Sequence, residues 1–297
     1  MMQDLVSIII TTKNEEKNIG NCLQSIKLQT YENIEIIVVD NNSTDKTKEI
    51  SKKYTDKVLD KWPERSAQRN YGIIDIAKWK YTMFVDADMI LTPRLVQDCV
   101  HFISKNNFVA LWISEIVLWQ NFWSKVRRFE RTFYDGTVVD GVRFFDRAKF
   151  IEIWWFDATM SGPEDWDLDK KFKQIWKIWL LPQWEKIKDW ELNSFVNERG
   201  VNPARYGSVI YHNESEFDLK KYLTKKGYYA TSFDTYISKW WKDDEDIKKQ
   251  LGMPYRFFGV FLEKGKWKKL LSSPTLTFGM YFLRFMVWLK FLFRSKK

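Results

Sequence analysis

The stretch YTMFVDADMI, residues 81–90, opens on an apolar run that reads as a buried strand and ends with two carboxylates, Asp86 and Asp88, one residue apart. Like charges repel and resist burial, so a strand that ends this way needs a counter-charge. Alternate residues of an extended chain point the same way, so both aspartates can face one site. A divalent cation there removes the repulsion and the desolvation cost together by ligating the oxygens. On these residues alone a simpler reading stays open, in which one carboxylate caps the helix expected near Pro93 and the other is solvated.

Outward from this stretch the first hundred residues repeat one rhythm. The β-branched runs VSIIITT (6–12), IEIIVVD (34–40) and KVLD (57–60) read as strands, and helical patterns near 15–29, 43–54 and 65–79 lie between them and the 81–86 strand. Strand and helix in alternation predict an α/β fold with a parallel sheet covered on both faces. Ligands of such sheets bind beyond the carboxyl ends of the strands. Those ends are polar here: Thr11 and Thr12, then Asp40, then Asp86. Further along, an amphipathic helix near 121–134, a strand at VDGVRFF (139–145) and a loop at SGPEDWDLDKKF (161–172) are expected.

Several residues in this frame bear chemistry. Glu164 and Asp165 sit where a helix starts, where acidic side chains serve as caps or as dipole partners; a carboxylate facing a metal-nucleotide site there is also placed to act as a general base. His212, after the apolar run SVIY, resembles a strand end and is a candidate third metal ligand beside Asp86 and Asp88; His101 reads as structural. No glycine-rich phosphate loop is present. A bound diphosphate therefore needs metal and basic side chains, for which Arg65 and Arg69 are candidates, a solvated helix face being the alternative account of both. Cys22 and Cys99 follow no metal spacing and read as small buried hydrophobes of a reducing compartment.

The net charge of +9 is unevenly spread. Residues 1–216 carry 30 Lys/Arg against 32 Asp/Glu, and residues 217–297 carry 18 against 7. The basic C-terminal quarter mixes lysines with bulky aromatics, a composition that membrane surfaces and nucleic acids both attract. Without a nucleic-acid-binding signature, the membrane is the expected partner and nucleic acid is not. The chain divides on this basis into a catalytic domain, 1–216, and a basic, aromatic-rich helical extension, 217–297.

In order and spacing, VSIIITTKNEEKNIGNCLQSI, IIVVDNNSTDKT, RSAQRNYGI, FVDADM and EDWDL resemble the family 2 glycosyltransferases, which use nucleotide-diphospho-sugars and have the GT-A fold. The resemblance covers roughly residues 5–215. It implies a mostly parallel central sheet with flanking helices, a nucleotide-binding half over 1–105 and an acceptor-binding half over 106–216. It implies nucleotide-sugar contacts from Thr11, Lys13, Glu15, Asp40, Arg69, Asp86, Ala87 and Asp88, and Mn2+ or Mg2+ held by Asp88, Asp86 and His212. It also implies Asp165 as catalytic base, with Glu164 beside it contacting donor or acceptor. The reaction implied is a metal-dependent, inverting transfer of a hexose, of mannose or glucose type. Two departures matter. The Pro-Thr-Tyr or Pro-Ala-Tyr usual after the first strand is Thr11-Thr12-Lys13, which leaves the base open, and the Gln-x-x-Arg-Trp motif of processive members is missing, which predicts transfer of one or a few sugars.

TLTFGMYFLRFMVWLKFLF (275–293) approaches the ~20 residues that cross a bilayer, but Arg284 and Lys290 interrupt it, at about 2.5–3.5 kcal/mol for a charge at mid-membrane. With the basic flanks KGKWKK and RSKK it reads as an interfacial helix on the anionic cytoplasmic face. The other readings are packing against the catalytic domain or a second subunit of a homo-oligomer, and a true span. The N-terminus reads as a strand and not as a secretory signal, so the catalytic part is expected in the cytoplasm. An interfacial anchor suggests a lipid-linked acceptor, such as a polyprenyl-phosphate or polyprenyl-diphosphate sugar, or a membrane-proximal glycan. The competing functions are a haloacid-dehalogenase-like phosphatase with Asp86 as nucleophile, and a non-catalytic sugar-nucleotide-binding scaffold.

Overall fold

The computed structural model describes residues 4–187, 189–214 and 216–293. The four expected strands form as read: β1 (Val6–Thr12), β2 (Ile34–Asp40), β3 (Val58–Asp60) and β4 (Tyr81–Asp86). β5 (Met89–Leu91), β6 (Ala110–Trp112), β7 (Glu115–Val117), β8 (Val142–Asp146), β9 (Ile178–Leu180) and β10 (Ile210–His212) follow. A seven-stranded sheet runs in the order β3-β2-β1-β4-β8-β6-β9. Its first four strands are parallel and β8 is antiparallel to both neighbours. A small second sheet, β5-β10-β7, lies beyond the carboxyl end of β4.

The alternation of side chains along each strand explains why these runs are apolar throughout. Ile8, Ile10, Val38 and Val85 belong to the core on one face, where Cys22, Leu23 and Ile26 of the Ile19–Lys27 helix and Leu95, Val96 and Cys99 of the Leu95–Lys105 helix meet them. Ile9, Val39 and Phe84 point to the other face, against Ile73, Phe150, Leu168 and Phe172. Both cysteines are free and buried, as their reading required. The expected 65–79 helix is α-helical over Arg65–Asn70 and continues as a π-helix over Tyr71–Ile76.

The extension does not stand apart. The Pro274–Leu292 helix packs against the Phe122–Arg131 and Leu219–Ala230 helices. Its buried face carries Gly279, Met280, Leu283 and Arg284. Gly279 allows the close approach, since a Cβ there would sit 2.7 Å from Val126 Cγ2. Arg284, which reads from sequence as an interruption of a membrane segment, is instead an internal tie: its Nη2 lies 3.0 Å from Glu130 Oε1 and donates to Tyr134 Oη at 2.7 Å. A desolvated arginine needs such partners. The opposite face leaves Phe278, Phe285 and Leu292 exposed. This helix is long and apolar enough to cross a membrane by length and composition. The RSKK flank at 294–297 lies outside the described residues.

Candidate active site

Strand register brings the polar strand ends together. Thr11 pairs with Asp86 across β1 and β4, and Thr11 Oγ1 lies 3.5 Å from Asp86 Oδ1. The antiparallel pairing of β10 with β5 sets His212 opposite Met89. That pairing delivers His212 Nε2 to 3.1 Å from Asp88 Oδ2. A cavity of about 560 Å3 opens over these ends and is lined by Thr11, Lys13, Glu15, Ala87, Asp88 and His212, among others.

Arg69 joins the two acidic motifs from beneath. It is fully buried, donating from Nη1 to Asp165 Oδ1 at 2.8 Å and from Nη2 to Asp86 Oδ1 at 3.1 Å. Its guanidinium stacks over Phe84 at 4.3 Å. Neither Asp86 nor Asp88 caps the Leu95–Lys105 helix, which has no side-chain cap bond, and the solvated-face account of Arg69 is overturned by its burial. Asp165 is likewise not the N-cap of its helix, since Pro163 holds that position without a side-chain cap bond.

The charges set the protonation states. Burial pushes the Asp86 carboxyl up, but Arg69, Arg65, Arg143 and His212 outweigh it and hold it far below the usual carboxylate range. Glu164 is raised, by burial and by Asp165, against Arg65 and Arg69; it accepts from Arg65 Nη2 at 2.9 Å and from the Gly162 amide. Gly162 has φ +111° and a Cβ there would meet Tyr229 Cβ at 2.6 Å, so the turn before the helix needs glycine. Burial works against a charged His212, yet Asp88 above all, with Glu214 and Glu115, raises it to about 9. Burial also raises Glu15, with Asp88 and Asp86 adding to it and the Asn18 hydrogen bond opposing.

Of the three expected metal ligands, Asp88 and His212 meet, while Asp86 Oδ1 is turned to Arg69 and Thr11. Among the described residues no group of three His, Cys, Asp or Glu converges into a ready-made cage. A carboxylate with an imidazole that gives up its second proton as the metal binds fits a divalent cation taking its remaining ligands from phosphate oxygens and water. Asp40 stands apart from the cavity wall. Its buried carboxylate accepts from Ser43 N at 2.6 Å and Ser43 Oγ at 2.5 Å, and the neighbouring Asn41 lines the cavity instead.

Other lining residues escape a sequence reading. Arg127 and Arg131, one helical turn apart, face the cavity with Arg143 of β8, and Tyr222, Lys225 and Tyr229 arrive from the extension. The i, i+4 arginines on an amphipathic helix were the one local signal; the extension's residues reach the site only through tertiary packing.

Residues 7–156 match the family model for glycosyl transferase family 2. The chain belongs to that family, and the sheet order and flanking helices are those of the GT-A fold. An uncharacterized glycosyltransferase of Rickettsia typhi is 35% identical over 194 residues, which is 59% of this chain and 61% of the relative. The UDP-Glc:alpha-D-GlcNAc-diphosphoundecaprenol beta-1,3-glucosyltransferase WfaP of Escherichia coli is 34% identical over 103 residues, 33% of this chain and 41% of the relative. The chain thus spans less than two thirds of the length of these curated relatives. Among solved structures, the mannosyltransferase PcManGT of Pyrobaculum calidifontis, in complex with GDP-Man and Mn2+, aligns over 100% of this chain and 89% of its own at a TM-score of 0.64 and 14% identity. Staphylococcus aureus TarS 1–349 with UDP-GlcNAc aligns over 97% and 89% at 0.53 and 15%. These two establish the fold. Family and fold remove the phosphatase reading, because Asp86 ends the fourth strand of a GT-A sheet and is clamped by Arg69.

Proposed function

We propose that the protein is an inverting glycosyltransferase that moves a hexose, of mannose or glucose type, from a nucleotide-diphospho-sugar to a hydroxyl or phosphate of a lipid-linked acceptor at the cytoplasmic face of the membrane. The observation that carries this reading is the clamp of Arg69 on Asp86 and Asp165, which couples the donor-side and acceptor-side carboxylates at one cavity. A sugar nucleotide spans the cavity floor, with its diphosphate near Asp88 and Lys13 and its base near Thr11 and Asn41. Asp88 and His212 would hold Mn2+ or Mg2+, which supplies Lewis-acid neutralisation of the departing diphosphate. Asp165 takes the proton of the acceptor hydroxyl as that oxygen bonds to the anomeric carbon, and the bond from that carbon to the diphosphate breaks, its electron pair leaving with the nucleoside diphosphate. Arg69 holds the Asp165 carboxylate in place through its Nη1, and Glu164 orders the loop at Gly162.

The Escherichia coli relative, whose name gives a diphosphoundecaprenol acceptor, supports a lipid-linked acceptor here. The exposed aromatic face of the Pro274–Leu292 helix supports peripheral membrane attachment. A thermal-shift screen of GDP-, UDP- and dTDP-sugars with and without Mn2+ tests the donor: one nucleotide series should raise the melting temperature only when metal is present. No response from any of them would leave the reading without its substrate and favour a non-catalytic scaffold.

A further inference from the structure

A second cavity, of about 330 Å3, adjoins the first and shares Arg127, Arg131, Arg143, Asp165 and Lys226 with it. Its far wall belongs to the extension, through Arg256, Phe257, Val287, Trp288 and Phe291. The two ends differ in chemistry.

The inner end is cationic, and much of that charge is already paired. Arg127 is met by Glu130 at 2.5 Å and Glu214 at 3.1 Å, Arg131 by Glu115 at 2.8 Å, and Arg284 by Glu130 at 3.0 Å. Lys226 and Arg256 are different. Among the described residues no carboxylate forms an ion pair with either, and their close neighbours are rings: Tyr222 and Tyr229 at 5.5 and 5.8 Å from Lys226, Tyr134 at 5.7 Å from Arg256. Burial, together with Arg127, Lys225 and Arg256 and against Glu130, draws the Lys226 ammonium down to about 7, the signature of a cation short of anions. Arg143 adds a second, independent sign. The residue is 7% exposed and its Nε is paired with Glu115 at 2.9 Å, but among the described residues its buried Nη1 has no hydrogen-bond acceptor. A buried donor left unmade costs about 1–3 kcal/mol, and a phosphate offers several acceptor oxygens to such a set.

The outer end is apolar. Trp288, Phe291, Val287 and Phe257 line it, and Met253, 44% exposed, opens it to the surface. The same extension presents exposed Phe258 and Leu262 nearby in sequence. Such a lining suits an alkyl chain and offers little to the hydroxyls of a free sugar.

We infer that this second cavity binds the phosphate ester of a long-chain alcohol, with its phosphate on Lys226, Arg256 and Arg143 and its chain along Trp288 and Phe291. A sugar carried on that phosphate then presents its hydroxyl to Asp165 from the side of the extension while the donor occupies the first cavity. The inference rests on the glycosyl-transfer reading and assigns its acceptor a site.

Decyl phosphate, decanol and inorganic phosphate, titrated onto the full chain by calorimetry, test it. Decyl phosphate should bind at least about tenfold more tightly than either of the others, since it alone engages both ends. Arg256→Ala and Lys226→Met should reduce decyl phosphate to the level of decanol, and Lys226→Arg should preserve the preference. Trp288→Ala should weaken decyl phosphate by about tenfold and leave inorganic phosphate unchanged; a merely structural role would move both. Decanol matching decyl phosphate, or the preference surviving in the Lys226→Met/Arg256→Ala double variant, overturns the inference. So does competition between decyl phosphate and the sugar nucleotide, which would place both in the first cavity. Sugar-nucleotide binding with Mn2+ is read on the same samples: intact donor binding with no decyl phosphate site refutes this cavity's role alone.

Discussion

Arg69 Nη1 lies 2.8 Å from Asp165 Oδ1, and the same buried guanidinium reaches Asp86 through Nη2 at 3.1 Å. One planar fork thus fixes two carboxylates that are 79 residues apart in sequence. Lysine has the charge without the fork. Arg69→Lys should fold, lose about 10²-fold in kcat through misplaced carboxylates, and leave KM for the donor within a few-fold. Arg69→Ala should be destabilised by about 3–5 kcal/mol, because it leaves buried carboxylates uncompensated. Denaturant unfolding alongside steady-state kinetics separates the two effects.

His212 and Asp88 form the pair proposed to hold the metal. Asp88→Asn and His212→Ala should each raise the Mn2+ concentration for half-maximal activity at least about tenfold, and Asp86→Asn should act chiefly through Asp165 and Arg69. A metal titration in which Asp88→Asn and His212→Ala both match the parent would remove the assignment.

The Glu130–Arg284 tie gives the extension a pH dependence. Burial raises the Glu130 carboxyl, but Arg284, Arg127 and the Tyr134 hydrogen bond outweigh it and lower it from the ordinary 4.5 to about 2. A depressed carboxyl contributes stability that is present above pH 4.5 and is lost as the pH falls towards about 2. Glu130→Gln should therefore cost about 3–5 kcal/mol at neutral pH, with the gap to the parent narrowing in urea melts on the acid side of pH 4.5.

Gly279 sets the distance between the C-terminal helix and the Phe122–Arg131 helix. Gly279→Val should destabilise by about 1–3 kcal/mol through overpacking against Val126 and Phe122. Limited proteolysis should then cut the extension faster. On the opposite face, Phe278→Glu and Phe285→Glu should leave melting unchanged and weaken co-sedimentation with anionic liposomes, as expected of side chains 75% and 47% exposed.

The parallel half of the sheet was legible because β1, β2 and β4 are buried on both faces, and Ile, Val and Phe in unbroken runs have no other economical place. Asp86, Asp88 and Glu164-Asp165 were legible because carboxylates at a strand end and a helix start stand out locally. The depth of Arg69 was not: a helical RSAQRN carries no sign of which arginine is swallowed by the core and which, like Arg65, stays at the wall. Asp40 reads as a ligand-facing strand end, yet the turn to Ser43 engages its carboxylate. Arg284 looked like a flaw in an apolar helix because its partner Glu130 lies 154 residues earlier, and no periodicity relates them.

On the proposed mechanism Asp165 removes the acceptor proton in a transfer that begins from a sugar nucleotide held at Asp88. The most direct measurement is nucleoside diphosphate release by Asp165→Asn, with acceptor present and Mn2+ saturating, beside donor affinity on the same protein. Donor affinity should stay within a few-fold of the parent and turnover should fall by about 10²–10⁴-fold. Turnover retained by Asp165→Asn with donor binding intact would contradict the role of Asp165 as base.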